Sequence, residues 1–416
     1  MSRSSLQGPD HFLDILDCDM RRCGLPGNLA QLQLGLSGPP DRSVLENRLA
    51  AWSLEDPACR VVLQDGLGQT RRRMNTEGTA PALHWHHSND AQTVLAARMH
   101  NPVTRPAAPP IVLDIIEGPS ETVLGLTWDH LLMDARGGEH LLARLAGQTV
   151  EDAMVWPKSG QMPLWRRFQA LRTLRPVFSR IGRGVAAPPV PGIPPRFHVH
   201  HAVANPEESR RIADRARGVH PVIGETALLL AGALRRTHSR CLEAKKQSGY
   251  LVPVAVTRRT PGSPGPILGN PISFVYILIE TGQMEDSTPD MLARRIAEQF
   301  LDALKHGLIE ACEKQLGLFR HIPRGAGATL MRRIMRGQMA SCFFAHTGRT
   351  AFDAIQDFNF LGSAVEHVFH QPMVCHPPGL GFFACRHASR LHLAACTTWP
   401  ETANPARSLF EDLLAS

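Results

Sequence analysis

No apolar run in this 416-residue chain reaches the length a membrane-spanning helix needs. The longest, Ala227 to Leu234 and Ile272 to Ile279, fall far short of ~20 residues, so the protein is not expected to cross a membrane. The stretch Met1 to Asp19 carries Asp10, Asp14 and Asp17 among polar residues where a secretory signal has an apolar centre, and a cytoplasmic protein is expected. Nine cysteines are present, yet none stands in a C-x-x-C pair. An odd, scattered set argues against a disulfide framework and a zinc ribbon, which leaves reduced core thiols and no metal site. Tyrosine occurs twice, aromatic residues make up only 6% of the chain, and no recognition motif appears, which argues against a nucleic-acid binder. The nucleophile elbow G-x-S-x-G is missing too. No cysteine sits in an evident Cys/His context, so a covalent acyl-enzyme is not the economical mechanism for any acyl chemistry.

What is present is an ordinary globular composition, 43% hydrophobic and 20% charged. The net charge of +7 rests on arginine, forty against five lysines, and the guanidinium fork suits phosphate and carboxylate partners. The length implies two core-bearing units. The clearest break lies where residues 186–195 read AAPPVPGIPP, five prolines in ten residues, which makes an extended connector. The expected division is 1–187, a connector at 188–196, and 197–416.

Ile111 to Glu117 and Thr122 to Trp128 read as a hairpin around Gly118-Pro119-Ser120-Glu121. Leu164 to Ile181 has an apolar stripe with arginines between, an amphipathic basic helix that suits packing on its own sheet or contact with a membrane surface. Beyond the connector, Gly224 to Thr237 reads as a buried helix, Tyr250 to Val256 as a strand, and Ile272 to Glu280 as a central strand. Ser287-Thr288-Pro289 caps a long helix expected to reach about Leu318. Short strands near Met373 to Cys375, Leu380 to Cys385 and Leu391 to Thr397 precede a closing helix. Strands and helices alternate in both units, so each is expected to be an α/β sheet with covering helices.

His130 and Asp134 lie in the segment LGLTWDHLLMDARGGEHLL. The H-x-x-x-D spacing carries little weight by itself, because His86 and Asp90 repeat it within HWHHSND, read here as a polar surface loop. Context separates the two: His130 closes an alternating strand and is followed by Gly137-Gly138 and a helical leucine stripe, a junction that holds a side chain in a cleft on rigid support.

Around His130 the sequence resembles the coenzyme-A-dependent acyltransferase superfamily, which includes chloramphenicol acetyltransferase and the condensation domains of nonribosomal peptide synthetases. The family signature H-H-x-x-x-D-G is matched at its second His, His130, and at Asp134. Asp129 replaces the first His and Ala135 the Gly, with Gly137-Gly138 displaced behind it. Further pieces occur in family order: Pro57-Ala58-Cys59-Arg60, Met99-His100-Asn101-Pro102, Val254 to Arg258 followed by Leu268-Gly269-Asn270, and Pro377 to Phe382 followed by Leu391 to Thr397.

The resemblance implies a pseudo-dimer of two chloramphenicol-acetyltransferase-like α/β sandwiches with a substrate tunnel between them, 1–187 carrying the motif. It also implies transfer of an acyl group from acyl-CoA or a phosphopantetheinyl acyl carrier protein, a cosubstrate and not a bound cofactor, to a small-molecule alcohol or amine. Histidine can take and return that reaction's proton near neutral pH. His130 is then the base, Asp134 the anchor of its loop with Arg258 as expected partner, and Gly137, Gly138 and Asn270 are structural or oxyanion candidates. The alternative is a catalytically inactive relative serving as a carrier-protein scaffold. Arg166, Arg167, Arg172, Arg175, Arg332, Arg333 and Arg336 are expected either to steer an anionic donor or to be solvated surface.

Overall fold

The computed structural model describes residues 3, 4, 6, 8–55, 57–66, 68–75, 78–101, 110–148, 165, 172, 175, 185–188, 192–241, 249–259, 267–334 and 340–415. In the strand Leu29–Leu36, Leu32, Leu34 and Leu36 alternate with Gln33 and Gly35, the period of a strand, and all eight residues are buried because both faces are covered. This strand is central in a six-stranded sheet ordered Asn359–Phe360, Ser363–His370, Leu29–Leu36, Thr122–Asp129, Ile111–Glu117 and Ala82–His87. The expected hairpin is there, Ile111 to Glu117 antiparallel to Thr122–Asp129. The His86 segment is not a polar loop. It forms the parallel edge strand, held where the His86 Nε2 lies 2.9 Å from Asp114, whose carboxylate also takes two bonds from Arg98 at 2.8 Å. Asp90 caps the next helix, Ala91–His100.

The second sheet runs Ile272–Glu280, Gly249–Thr257, Phe343–Arg349, Leu380–His387, Arg390–Thr397 and His198–Val203. Ile272–Glu280 is therefore an edge strand, not a central one. Its alternation has a purpose: Val275, Ile277 and Ile279 enter the core beneath helices Gly224–Arg240 and Pro289–Lys305, while Phe274 and Tyr276 face the other way, into a cavity. The long capped helix begins as expected, with Thr288 accepting from the Met291 N–H, but it breaks at Gly307, whose φ of +63° opens a separate helix, Leu308–Leu316. Met373 to Cys375 is not a strand; its chain runs beside Leu29, to whose carbonyl the Met373 N–H donates. The closing helix spans Pro405–Ala415. Of the basic segment 164–181, Trp165, Arg172 and Arg175 are described, helical and exposed; its other residues lie outside the described set. None of the nine cysteines is in a disulfide, and seven are buried.

Two features join the halves. The strand Ser363–His370 comes from the second stretch of chain but pairs with Leu29–Leu36 in the first sheet, Val368 opposite Leu34, before the chain returns to the second sheet at Leu380. A division in chain order at 188–196 does not anticipate that exchange. The other is the N-terminal helix Gly8–Arg22, whose Asp10, Asp14, Asp17 and Asp19 are all buried. Asp14 accepts from the Thr70 N–H, Asp17 from the Asn28 N–H, and Asp19 from Arg332 at 3.0 Å, a residue of helix Arg324–Ile334 in the second stretch. Buried carboxylates require such partners. No helix among the described residues is long and apolar enough to cross a membrane.

Candidate active site

His130 is the first residue after the strand Thr122–Asp129, in the turn that leads to the helix Ala135–Leu145. A turn buried this deeply must satisfy its carbonyls, and each one from 129 to 134 has a donor. The Asp129 carbonyl takes the Leu132 N–H at 2.8 Å, and that of Leu132 takes the Gly269 N–H at 2.7 Å. The His130 carbonyl accepts from Asn270 Nδ2 at 3.0 Å, that of Leu131 from the Arg72 guanidinium, and that of Met133 from the Trp128 indole at 2.9 Å. Asp134 closes the series, its carbonyl accepting from the Gly138 N–H at 3.1 Å. Asn270 and Arg72 both lean on Asp10 of the N-terminal helix, at 2.9 and 3.0 Å. The imidazole thus stands on a backbone fixed from both halves of the molecule. Gly269, at φ +99°, supplies a left-handed turn that other residues rarely adopt, and it lets the Leu268-Gly269-Asn270 element bridge to Met133.

Asp134 is the N-cap of the helix, accepting from the Gly137 N–H at 2.7 Å. The same carboxylate pairs with Arg259 at 2.6 Å, both side chains being largely buried. The expected partner Arg258, which also lines the cavity described below, pairs instead with Glu310 and Glu313, at 3.1 and 3.0 Å. The two neighbours follow strand Gly249–Thr257, and successive residues of an extended chain point to opposite sides. Neither glycine serves an oxyanion: the Gly137 N–H is spent on the Asp134 side chain and the Gly138 N–H on its carbonyl. They are glycines for close packing. A Cβ at Gly137 would strike the Ile267 carbonyl, and one at Gly138 would sit 2.9 Å from the Trp128 ring. Asn270 likewise places its amide on Asp10 and the His130 carbonyl, a structural task. Ala135 is the first residue of the helix and lies outside the left-handed region, so its conformation does not call for glycine.

The His130 ring lines a cavity of about 950 Å³ between the two halves, and its buried Nδ1 has no partner among the described residues. Asp134 and Arg259 line the same cavity, as do His140, His346 and His370. Those three histidines were not singled out from sequence; none stands in a motif. His370 Nε2 meets Glu139 at 2.8 Å. Burial would raise the Glu139 carboxyl, but Arg136, His370 and the Ala351 N–H outweigh it and bring Glu139 to about 2. Burial holds His140 down to about 4 against the pull of Glu139. Arg136 reaches across to the Thr347 and Arg349 carbonyls at 2.9 and 2.7 Å, a further tie between the halves. Of the arginines expected to steer a donor, Arg332 is engaged with Asp19, Arg172, Arg175 and Arg333 are exposed, and Arg166, Arg167 and Arg336 lie outside the described residues.

No family model and no curated protein matches the chain. Solved structures do. A variant of the starter condensation domain of rhizomide synthetase, solved with C8-CoA and Leu-SNAC, superposes with a TM-score of 0.67 at 13% identity, over 99% of this chain and 94% of that one. The first condensation domain of the calcium-dependent antibiotic synthetase, with a substrate analogue, gives 0.68 at 12% identity over 99% and 95%. Polyketide synthase associated protein 5 from Mycobacterium tuberculosis gives 0.64 at 14% identity over 99% and 98%. The chain has the condensation-domain fold. Within that condensation fold, the cavity between the halves is where His130 and its anchored loop stand.

Proposed function

We propose that the protein transfers an acyl group from a thioester, carried by coenzyme A or an acyl carrier protein, to an alcohol or amine. The observation that carries the reading is His130: a histidine on a fully bonded loop, lining a cavity to which both halves contribute. As the acceptor oxygen or nitrogen bonds to the thioester carbon, His130 takes its proton. The tetrahedral adduct then expels the thiolate, which recovers that proton from His130, leaving an ester or amide and a free thiol. Asp134 acts at a distance from the reacting atoms, tied to Arg259 and to the helix N-terminus, and keeps the loop in place.

The test is turnover by the His130→Ala variant with acyl-CoA and acyl-carrier donors and mixed alcohol and amine acceptors, products being read by mass. A loss of ~10²–10⁴-fold is expected. Unchanged turnover refutes the role, and an absence of product from the unaltered protein with every donor, beside tight binding of an acylated carrier, favours a scaffold.

A further inference from the structure

The cavity is polar at one end and apolar at the other. At the polar end, Arg136 is bonded to Glu139 and through it to His370, and reaches the Thr347 carbonyl beside His346, which is in turn 3.0 Å from the Thr226 hydroxyl. These contacts make one contiguous patch of hydrogen-bonding groups. At the other end, Phe12 meets Phe274 edge-on at 5.5 Å and Phe319 at 5.8 Å, and Leu316 and Tyr276 pack into the same cluster. This arm is built from the N-terminal helix, the edge strand Ile272–Glu280 and the helical segments 289–305, 308–321 and 324–334. Among the described residues, none that these segments contribute to the cavity lining is charged, and only Tyr276 and Gln315 carry a polar side-chain group. Leu304 and Leu330 line the cavity and are also 55% and 45% exposed.

We infer that this arm holds the chain of an uncharged, apolar acyl group, so that the donor is a fatty-acyl-type thioester and not one whose acyl chain ends in a charged group. The inference rests on the acyl-transfer reading and narrows it. An ammonium carried into the arm would lose its water and find no carboxylate among the lining residues, whereas each methylene buried there is stabilising. The polar patch at the opposite end is left for the acceptor.

The test uses probes that cannot react: S-butyl, S-octyl and S-dodecyl thioethers of N-acetylcysteamine, and an octyl thioether ending in an amine, titrated calorimetrically into the full chain. Affinity is expected to rise about fourfold per methylene between butyl and octyl, the equivalent of ~0.8 kcal/mol each. The amine-ended probe should bind no better than the butyl one. Phe319→Arg should abolish the chain-length dependence, while Phe319→Leu keeps it. A flat series, or equal binding of the amine-ended probe, overturns the assignment, and both are read on the unaltered protein whether or not Phe319→Arg folds. Because the probes need no turnover, this failure is distinct from that of acyl transfer, which the His130→Ala variant decides.

Discussion

Arg258 and Arg259 are adjacent in sequence and differ in exposure and partners, so truncating each to alanine is a sharp test of the anchoring of the His130 loop. Arg258 is about a third exposed and paired with two half-exposed glutamates, Glu310 and Glu313. Exposed pairs of this kind are worth about 0–1 kcal/mol, so Arg258→Ala should shift stability by no more than that. The Arg259 side chain is 6% exposed and its partner Asp134 10%. Removing one member of a buried pair costs about 3–5 kcal/mol, because the other charge stays behind without compensation. Asp134 would keep its bond from the Gly137 N–H, which places the cost toward the lower end of that range. Urea unfolding followed by far-UV circular dichroism measures both variants. The same pair of proteins in the turnover assay should show Arg259→Ala slowed and Arg258→Ala close to the unaltered protein. Equal destabilisation of the two, or a larger loss from Arg258→Ala, would refute the placement of Arg259 as the loop anchor.

Asp10→Asn weakens the support of Arg72 and Asn270, which hold the Leu131 and His130 carbonyls, and should lower kcat by about 10²-fold, the size of effect that a 1 Å misplacement produces, with little change in donor KM. In the His130→Ala background the same substitution should cost nothing further, and additive losses in that cycle would show that Asp10 does not work through His130. Stability should fall in acid: burial holds His140 and His201 to about 4 and His392 to about 3, so these rings bind protons only on unfolding as the pH drops below 6.5. Each contributes a loss of about 1.4 kcal/mol per pH unit down to its folded value, and Glu139 and Glu225, both near 2, add to the loss below about 4.5. Urea melts between about pH 7.5 and pH 5 that show no decline would count against the neutral burial of these histidines.

His130 and Asp134 were legible because they share one loop, and a spacing of four residues between a strand and a helix can be read without knowing what lies across from it. The partner of Asp134 was legible only to within one residue. Which of Arg258 and Arg259 faces inward depends on the phase in which the strand Gly249–Thr257 ends, and the sequence there does not state it. Gly137 and Gly138 stand in the sequence as structural or oxyanion candidates, and their neighbours Ile267 and Trp128, which set the need for glycine, are fixed by tertiary contact that no local pattern shows. The supports of the loop, Asp10, Arg72 and Asn270, come from three distant segments, and no local pattern links them. The two α/β units were expected from alternation, whereas the strand that crosses between them was not, since its residues 363–370 read like any half-buried strand.

The exchanged strand also sets an order of events during synthesis. As the chain leaves the ribosome, Leu29–Leu36 can pair with Thr122–Asp129 early, but its other edge stays open until Ser363–His370 has been made. An open edge of eight largely apolar residues invites pairing with a foreign strand. The first 187 residues produced alone should therefore be prone to aggregate, and a chain cut at the connector should recover solubility when the remainder is supplied in trans. The His130 loop is under the same constraint, for it is braced by residues 269 and 270. A nascent chain released before residues 269 and 270 are made carries the histidine without the scaffold that aims it.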